Sequence, residues 1–447
     1  MARIFGTDGA RGIAVTQLTC ERAMDIGRSA AKVLAASAGK STRILVGMDT
    51  RISSEILLCA LAAGICSMGA DAEILGVVPT PAVSYLLKRY GADAGVMISA
   101  SHNPAEYNGI KLFSSDGCKL PDETEAEIEA LILDRRSELL PAGAFGRVIQ
   151  SRNAVSDYSD YIIQCADADL SGMRIALDCA NGSASVCAQR IFSALGAECL
   201  MLCDAPDGYN INDGCGSTHL ERLCSFVRSN KADVGFAFDG DADRCLACDE
   251  YGTPVDGDSL IAILAQWFKS HGRLSGNTAV VTVMSGLGLK HTLASHGIET
   301  AVTKVGDRYV HEEMERHGYN LGGEQSGHII LSDYAATGDG ELTAVLIAKI
   351  LRETGKTLSQ LCGDIARYPQ TLLNVRIQPH KRSAWKTNAA IAAVISEAER
   401  ELGSSGRVLV RESGTEPLIR VMTEGKDERL TRLLAEEIAD IIRAEFS

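Results

Sequence analysis

A chain of 447 residues, 46% hydrophobic and 23% charged, holds apolar material for several cores and is too long for one, so three or four domains are expected. A formal net charge of −14 with no long Lys or Arg run excludes a nucleic-acid binder, yet lets a few convergent Arg residues hold a small phosphorylated ligand. No apolar stretch reaches the ~18 residues of a membrane span, the opening Met1-Ala2-Arg3-Ile4-Phe5 has no secretory pattern, and the 14 cysteines form no compact framework, which makes a reducing cytoplasm the expected compartment.

Along the chain, short apolar runs alternate with helical periodicity. Residues 21–38 read as a helix, 43–48 as a buried strand, 52–68 as a helix, 72–77 as a strand, 80–90 as a helix and 94–99 as a strand. A second round places strands at 174–178, 198–203 and 234–238, with helices at 184–196 and 218–231 between them. A third places helices at 258–270, 286–296, 307–317 and 340–354 around strands at 279–283 and 299–305. This alternation predicts sheets with parallel strands and crossover helices, in three repeats of about 100 residues. The last stretch differs. Strands at 371–378, 407–410 and 418–422 and helices at 383–401 and 427–445 predict a smaller α+β module. The expected fold class is therefore three related α/β domains with mixed sheets plus that module, divided as 1–148, 149–251, 252–368 and 369–447.

Four segments carry chemistry. Ser99-Ala100-Ser101-His102-Asn103-Pro104 follows the apolar strand 94–98, and open α/β sheets place ligands at such strand ends. Pro104 biases Asn103 to extended backbone and so helps hold the loop in one shape. Read alone, the segment suits a plain turn as well. Asp239-Gly240-Asp241-Ala242-Asp243-Arg244 also follows a buried strand, and three alternating carboxylates repel unless a cation joins them. Hard oxygen donors in small number suit Mg²⁺. An EF-hand is excluded because Arg244 stands where that loop needs Gly and both flanks read as strands. The third segment, Gly322-Gly323-Glu324-Gln325-Ser326-Gly327-His328, offers hydroxyl-recognising groups between glycines. The fourth, Arg411-Glu412-Ser413-Gly414-Thr415-Glu416-Pro417 with Arg420, offers guanidinium groups, hydroxyls and backbone amides for a phosphate, although a charged hairpin fits equally. The pair Cys245 and Cys248 reads as strand, where the two face opposite sides, so it is structural rather than a chelate.

Taken together and in this order, from Gly6 to Arg420, the four segments resemble those of the α-D-phosphohexomutase superfamily. Phe5-Gly-Thr-Asp-Gly-Ala-Arg-Gly12, the Ser101 loop and Gln325 are most similar to the bacterial phosphoglucosamine mutases, with the phosphomannomutase/phosphoglucomutase branch as the alternative. The resemblance implies an intramolecular phosphotransferase that interconverts glucosamine 6-phosphate and glucosamine 1-phosphate through a bound 1,6-bisphosphate. It implies a phosphoryl group on Ser101, and one Mg²⁺ per subunit on that group together with Asp239, Asp241 and Asp243. Glu324 and Ser326 would hold sugar hydroxyls. Arg411, Ser413, Gly414, Thr415 and Arg420 would hold the phosphate that is not reacting. Arg11, Lys111, Arg244 and His328 would stand near the reacting phosphate, for charge stabilisation or proton transfer. Glucosamine or glucose 1,6-bisphosphate would act as activator. The only partner implied is a small phosphosugar, and the oligomeric state stays open, a homodimer included.

Other classes fit less well. A phosphatase gains nothing from a second phosphate clamp. A nucleotide-dependent dehydrogenase needs a GxGxxG after a strand, and Gly286-Leu-Gly288 lacks the third glycine. A silent sugar-phosphate sensor needs neither Ser101 nor the acidic triplet.

Overall fold

Short strands made of Ile, Val, Leu, Ala and Gly, apolar on both faces, require cover on both sides, and a crossover helix supplies it. The computed structural model describes residues 4–6, 9–35, 42–134, 145–366, 368–378, 384–412 and 418–446, and these divide into two compact units. The first comprises residues 1–284 and 296–363, the second 285–295 and 364–447.

The first unit contains three sheets. Strands β1 (Phe5–Gly6), β2 (Gly9–Ile13), β3 (Arg43–Met48), β4 (Asp71–Val77), β5 (Ala94–Ile98), β6 (Tyr107–Ser114) and β7 (Val148–Gln150) form a seven-stranded sheet in the order β1-β2-β6-β5-β3-β4-β7. Strands β8 (Arg174–Asp178), β9 (Glu198–Leu202), β10 (Val234–Phe238), β11 (Cys245–Cys248) and β12 (Pro254–Val255) form the second, ordered β12-β11-β10-β8-β9. Strands β13 (Thr278–Thr282), β14 (Glu299–Thr303), β15 (Leu321–Gly323) and β16 (Ile329–Leu331) form the third, ordered β14-β13-β15-β16.

The three sheets share one plan. Each has a parallel centre that turns back on itself through an antiparallel neighbour: β5 into β6, β10 into β11, β15 into β16. The reversal follows a parallel strand, so its loop projects from that strand's carboxyl end. Those three loops contain Ser101, the Asp239–Asp243 triplet and Glu324–His328.

The parallel centres match the sequence expectation closely. Arg43–Met48, Thr80–Tyr90, Val234–Phe238, Asp307–His317 and Gly340–Thr354 occur as expected. Differences arise where local pattern is weak. The helix expected over 184–196 is a 3₁₀ turn, Ser183–Val186, followed by a short helix, Ala188–Ala194. The Ser185 hydroxyl donates to the Gly182 carbonyl at 2.6 Å, a local bond that competes with helical pairing. Helices Asp122–Leu133 and Ala154–Ala166, and the return strands β6, β15 and β16, were not expected. Of the return strands, β6 mixes glycine and polar residues with apolar ones, and β15 and β16 are only three residues each, too short to show an alternation.

In the second unit, β17 (Gln370–Arg376), β18 (Gly406–Glu412) and β19 (Leu418–Gly425) form an antiparallel sheet in the order β17-β19-β18. Helices Ala389–Leu402 and Glu428–Phe446 cover it, burying Ile391, Leu434, Ile438 and Ile442 against Ile419 and Val421. The first of these helices starts later than the expected residue 383, because the Asn388 side chain accepts the Ala390 and Ile391 amides at 2.9 and 3.1 Å.

Candidate active site

Ser101 sits in left-handed backbone (φ 54°), a conformation that costs a non-glycine residue on the order of 1–3 kcal/mol, so its surroundings must impose it. Arg51 does much of this. Its fully buried guanidinium donates to the Ser101 carbonyl at 2.9 Å, to Asn103 at 2.7 Å, to Tyr107 at 3.0 Å and also to Pro104. Asp49 orients that guanidinium at 2.8 Å. From the second sheet's side, Asn212 Nδ2 donates to the same two carbonyls, Ser101 at 2.9 Å and Asn103 at 3.0 Å. The loop is held by donors on two other segments.

The acidic loop meets it directly. Ser101 Oγ donates to Asp239 Oδ2 at 2.6 Å. Gly240 makes the approach fit, since a Cβ there would lie 2.6 Å from the Ser101 carbonyl oxygen. Asp239, Asp241 and Asp243 each bring an oxygen within 4.8 Å of the others, and all three are buried. Lys111 Nζ, from β6, donates to Asp241 at 2.6 Å and Asp243 at 3.0 Å, and Thr80 Oγ1 donates to Asp241 at 2.6 Å. Burial, then the neighbouring Asp243 and Asp241, push the Asp239 carboxyl well above its usual range. Burial works the same way on Asp243, but Lys111, His328 and Arg244 outweigh it and hold that carboxyl below the usual range. Asp241 Oδ1 and Asp243 Oδ1 are buried and accept no hydrogen bond. Crowded hard oxygens with unspent lone pairs fit a small divalent cation such as Mg²⁺.

Cationic and imidazole groups border this cluster. The Arg244 guanidinium lies 3.9–4.0 Å from Asp239 and Asp243 and meets His102 Nδ1 at 3.1 Å. Burial, then Arg244 and Arg11, lower the His102 pKa to about 4, leaving a neutral ring 3.4 Å from Ser101 Oγ. Arg11 lies on β2 opposite Gly109 of β6. His328 is buried, bridges Arg244 backbone to backbone, and faces Asp307 at 3.7 Å.

In the third loop, Glu324 Oε1 accepts the Gly306 amide at 3.1 Å and Ser326 is exposed. Gln325 is tied into the scaffold, its amide donating to Asp256 at 3.2 Å and its carbonyl accepting from Gly257. Gly327 (φ 90°) passes so close to Cys245 that a Cβ would meet the Cys245 carbonyl at 2.4 Å. The metal loop and this loop are thereby joined.

In the second unit, Arg411 of β18 lies directly opposite Arg420 of β19. Like charges at opposed positions on one face repel and favour an anion between them. Ser413, Gly414 and Thr415 lie outside the described residues.

The structure thus brings Ser101, Lys111, Arg244, His328 and the three aspartates to one place. The sequence reading missed Asp49, Arg51, Thr80, Asn212 and Asp307. Asp49 and Arg51 had a usable signal, because they follow β3, the parallel neighbour of β5, and so end at the same edge of the sheet. Asn212 had none, being a loop residue whose partners are carbonyls 109 and 111 positions away.

The chain matches four family descriptions in order: phosphoglucomutase/phosphomannomutase alpha/beta/alpha domain I over residues 2–138, domain II over 156–252, domain III over 256–368, and the C-terminal domain over 372–441. It is 49% identical over 450 residues to a phosphoglucosamine mutase of Caldicellulosiruptor bescii, covering 100% of both chains. Its fold matches a phosphoglucomutase/phosphomannomutase family protein of Burkholderia thailandensis at a TM-score of 0.84 with 24% identity, covering 99% of this chain and 97% of that one. It also matches an N-acetylphosphoglucosamine mutase of Aspergillus fumigatus, solved with GlcNAc-6P and magnesium, at a TM-score of 0.69 with 18% identity, covering 99% and 96%. Four matched domains in unbroken order and half-identity over the full length mean that the chain belongs to the phosphoglucosamine mutases, isomerases of the phosphohexomutase superfamily.

Proposed function

We propose that the chain interconverts glucosamine 6-phosphate and glucosamine 1-phosphate, with Ser101 as the residue that gives and takes back the phosphoryl group. The observation that carries this is the buried Ser101 hydroxyl, 2.6 Å from Asp239 inside a three-carboxylate cluster. The phosphoryl group passes from Ser101 Oγ to one sugar hydroxyl, giving a bound 1,6-bisphosphate. The opposite phosphate then returns to Ser101 after the intermediate has turned over. Transfer of this kind needs charge neutralised on the equatorial oxygens and the acceptor held in line. Arg244, Arg11 and Lys111 supply fixed positive charge. Asp239, Asp241 and Asp243 would hold one Mg²⁺ per subunit, which adds positive charge at the transferring oxygens. Glu324 and Ser326 take sugar hydroxyls, and Arg411 and Arg420 take the phosphate that is not reacting. His328 and Lys111 are the candidates for moving the acceptor's proton. A 1,6-bisphosphate activator fits this cycle because it reloads Ser101 when the intermediate escapes.

The test is Ser101→Ala. The variant is expected to fold, to lose nearly all interconversion, and to lack a phosphoryl adduct that intact-mass measurement finds on the parent protein. Near-normal turnover in the variant overturns the covalent role. Parallel kinetics on glucosamine, glucose and mannose phosphates decide the choice at C2. Equal efficiency on mannose phosphate would favour the phosphomannomutase reading.

A further inference from the structure

Cys203 directly follows β9, and Cys215 directly precedes the turn Gly216–Thr218, so the two cysteines close the ends of one loop. Their sulfurs lie within 4.8 Å of each other and of an Asp178 oxygen. Asp178 is already engaged, its two oxygens accepting the Ala180 and Gly216 amides at 2.9 Å each. The two thiols hydrogen-bond to each other, and Asn181 Nδ2 donates to Cys215 Sγ at 4.0 Å. Cys215 is fully buried, whereas Cys203 is partly exposed and held in left-handed backbone (φ 50°). The hydrogen bond from Cys215 pulls the Cys203 thiol below its ordinary range, and that same bond, then burial, push Cys215 up. An accessible sulfur with thiolate character beside a buried protonated one is the arrangement that oxidises to a disulfide.

The enclosed loop is tied to the Ser101 loop. Its Gly208 carbonyl accepts the Ile52 amide at 3.0 Å, one residue from Arg51. Its Asn212 holds the Ser101 and Asn103 carbonyls through Nδ2. A disulfide needs the sulfurs at about 2.0 Å, so forming it fixes the two loop ends to each other and restrains what lies between them.

We propose that Cys203 and Cys215 are a peroxide-oxidisable dithiol whose disulfide tightens the loop 204–214 and, through Asn212, slows phosphoryl transfer at Ser101. The Cys203 thiolate attacks hydrogen peroxide. An S–O bond forms, the O–O bond breaks, and the departing hydroxide takes a proton to become water. The Cys215 thiol then attacks the sulfenic sulfur. The S–S bond forms, the S–O bond breaks, and water leaves with the Cys215 proton. Two electrons pass from the sulfurs to the peroxide, and a dithiol reductant reverses the change by exchange. The activity consequence rests on the Ser101 reading, while formation of the bond does not.

The experiment treats the full chain with hydrogen peroxide, maps cross-links by mass spectrometry after blocking free thiols, and follows interconversion before and after dithiothreitol. The expected result is a Cys203–Cys215 cross-link, a fall in turnover of at least about tenfold, and recovery on reduction. A shift of about 1 Å in a positioned group can cost ~100-fold, so a tenfold fall lies within reach of a moved serine loop. Cys203→Ser, which leaves the buried Cys215 in place, should keep basal turnover and resist peroxide. Absence of the cross-link overturns the proposal, as does a cross-linked enzyme at full turnover. It is also overturned if Cys203→Ser is inactivated as readily as the parent, which would point to another pair such as the buried Cys224 and Cys248. Failure of the Ser101 reading shows separately, as activity retained in Ser101→Ala.

Discussion

Carboxylates crowded out of water raise one another's proton affinity, and Asp239 carries that burden for the metal loop, with burial as the larger cause and Asp243 and Asp241 next. Its folded-state pKa is raised above the unfolded value, so in metal-free protein it withdraws stability as pH rises toward neutrality. Asp239→Asn keeps an acceptor for Ser101 and removes the charge. In chelator near neutral pH the variant is expected to melt higher than the parent. Adding Mg²⁺ should raise the melting temperature of the parent and leave the variant nearly unmoved, since only a bound ligand shifts the equilibrium. A full Mg²⁺ response in the variant would remove Asp239 from the ligand set. Arg51 presents the opposite case, a buried cation whose every contact is made. Arg51→Ala leaves Asp49 buried without its cation and frees the Ser101 loop, so urea unfolding should show a loss of about 3–5 kcal/mol. A loss under 1 kcal/mol would show that the loop holds its own shape.

Each of the three site loops is a reversal between a parallel strand and its antiparallel return, so the elements that place them repeat, although the loop sequences do not. The helix Gly340–Thr354 supports the metal loop from behind. Asp339 caps it by accepting the Leu342 amide at 2.9 Å, and the Gly340 amide donates to the Ala242 carbonyl at 3.0 Å. Its first turn holds Glu341, fully buried, accepting from the Cys187 thiol at 2.9 Å. Burial raises Glu341 to about 8 and the adjacent Asp339 to about 6. A carboxyl raised in the folded state binds its proton more tightly there than in the unfolded chain. Stability is then full below the unfolded value and falls as pH rises through the folded one. Both groups act below pH ~6, and Glu341 alone acts between about 6 and 8. Glu341→Gln should therefore flatten the stability profile between pH ~6 and ~8, where the parent loses up to about 1.4 kcal/mol per pH unit. Parallel profiles for the two proteins would show that Glu341 does not titrate in this range.

At the scale of the molecule, Ser101 and the three aspartates belong to the first unit and the opposed pair Arg411 and Arg420 to the second. If that pair takes whichever phosphate is not reacting, it serves both half-reactions. Arg411→Ala or Arg420→Ala should then lower catalytic efficiency about 10- to 100-fold in both directions, the effect of a lost charge-assisted hydrogen bond worth roughly 1.5–3 kcal/mol. Added 1,6-bisphosphate should activate the variants more than the parent. Unimpaired variants would reduce the pair to ordinary strand residues. The sequence alone determined the parallel strands and the loops after them, because apolar runs such as Val234–Phe238 and the charge pattern of Asp239–Asp243 are local properties of the chain. It also carried the resemblance that assigned Lys111 and His328 their places. Only the tertiary structure decided what holds Ser101 in position. Arg51 and Asn212 act on backbone carbonyls 50 or more residues away, Thr80 reaches Asp241 across 161 residues, and Cys203 meets Cys215 by loop closure. A carbonyl partner leaves no mark on the side-chain pattern, so contacts of that kind become visible only when the strands and loops are set in space.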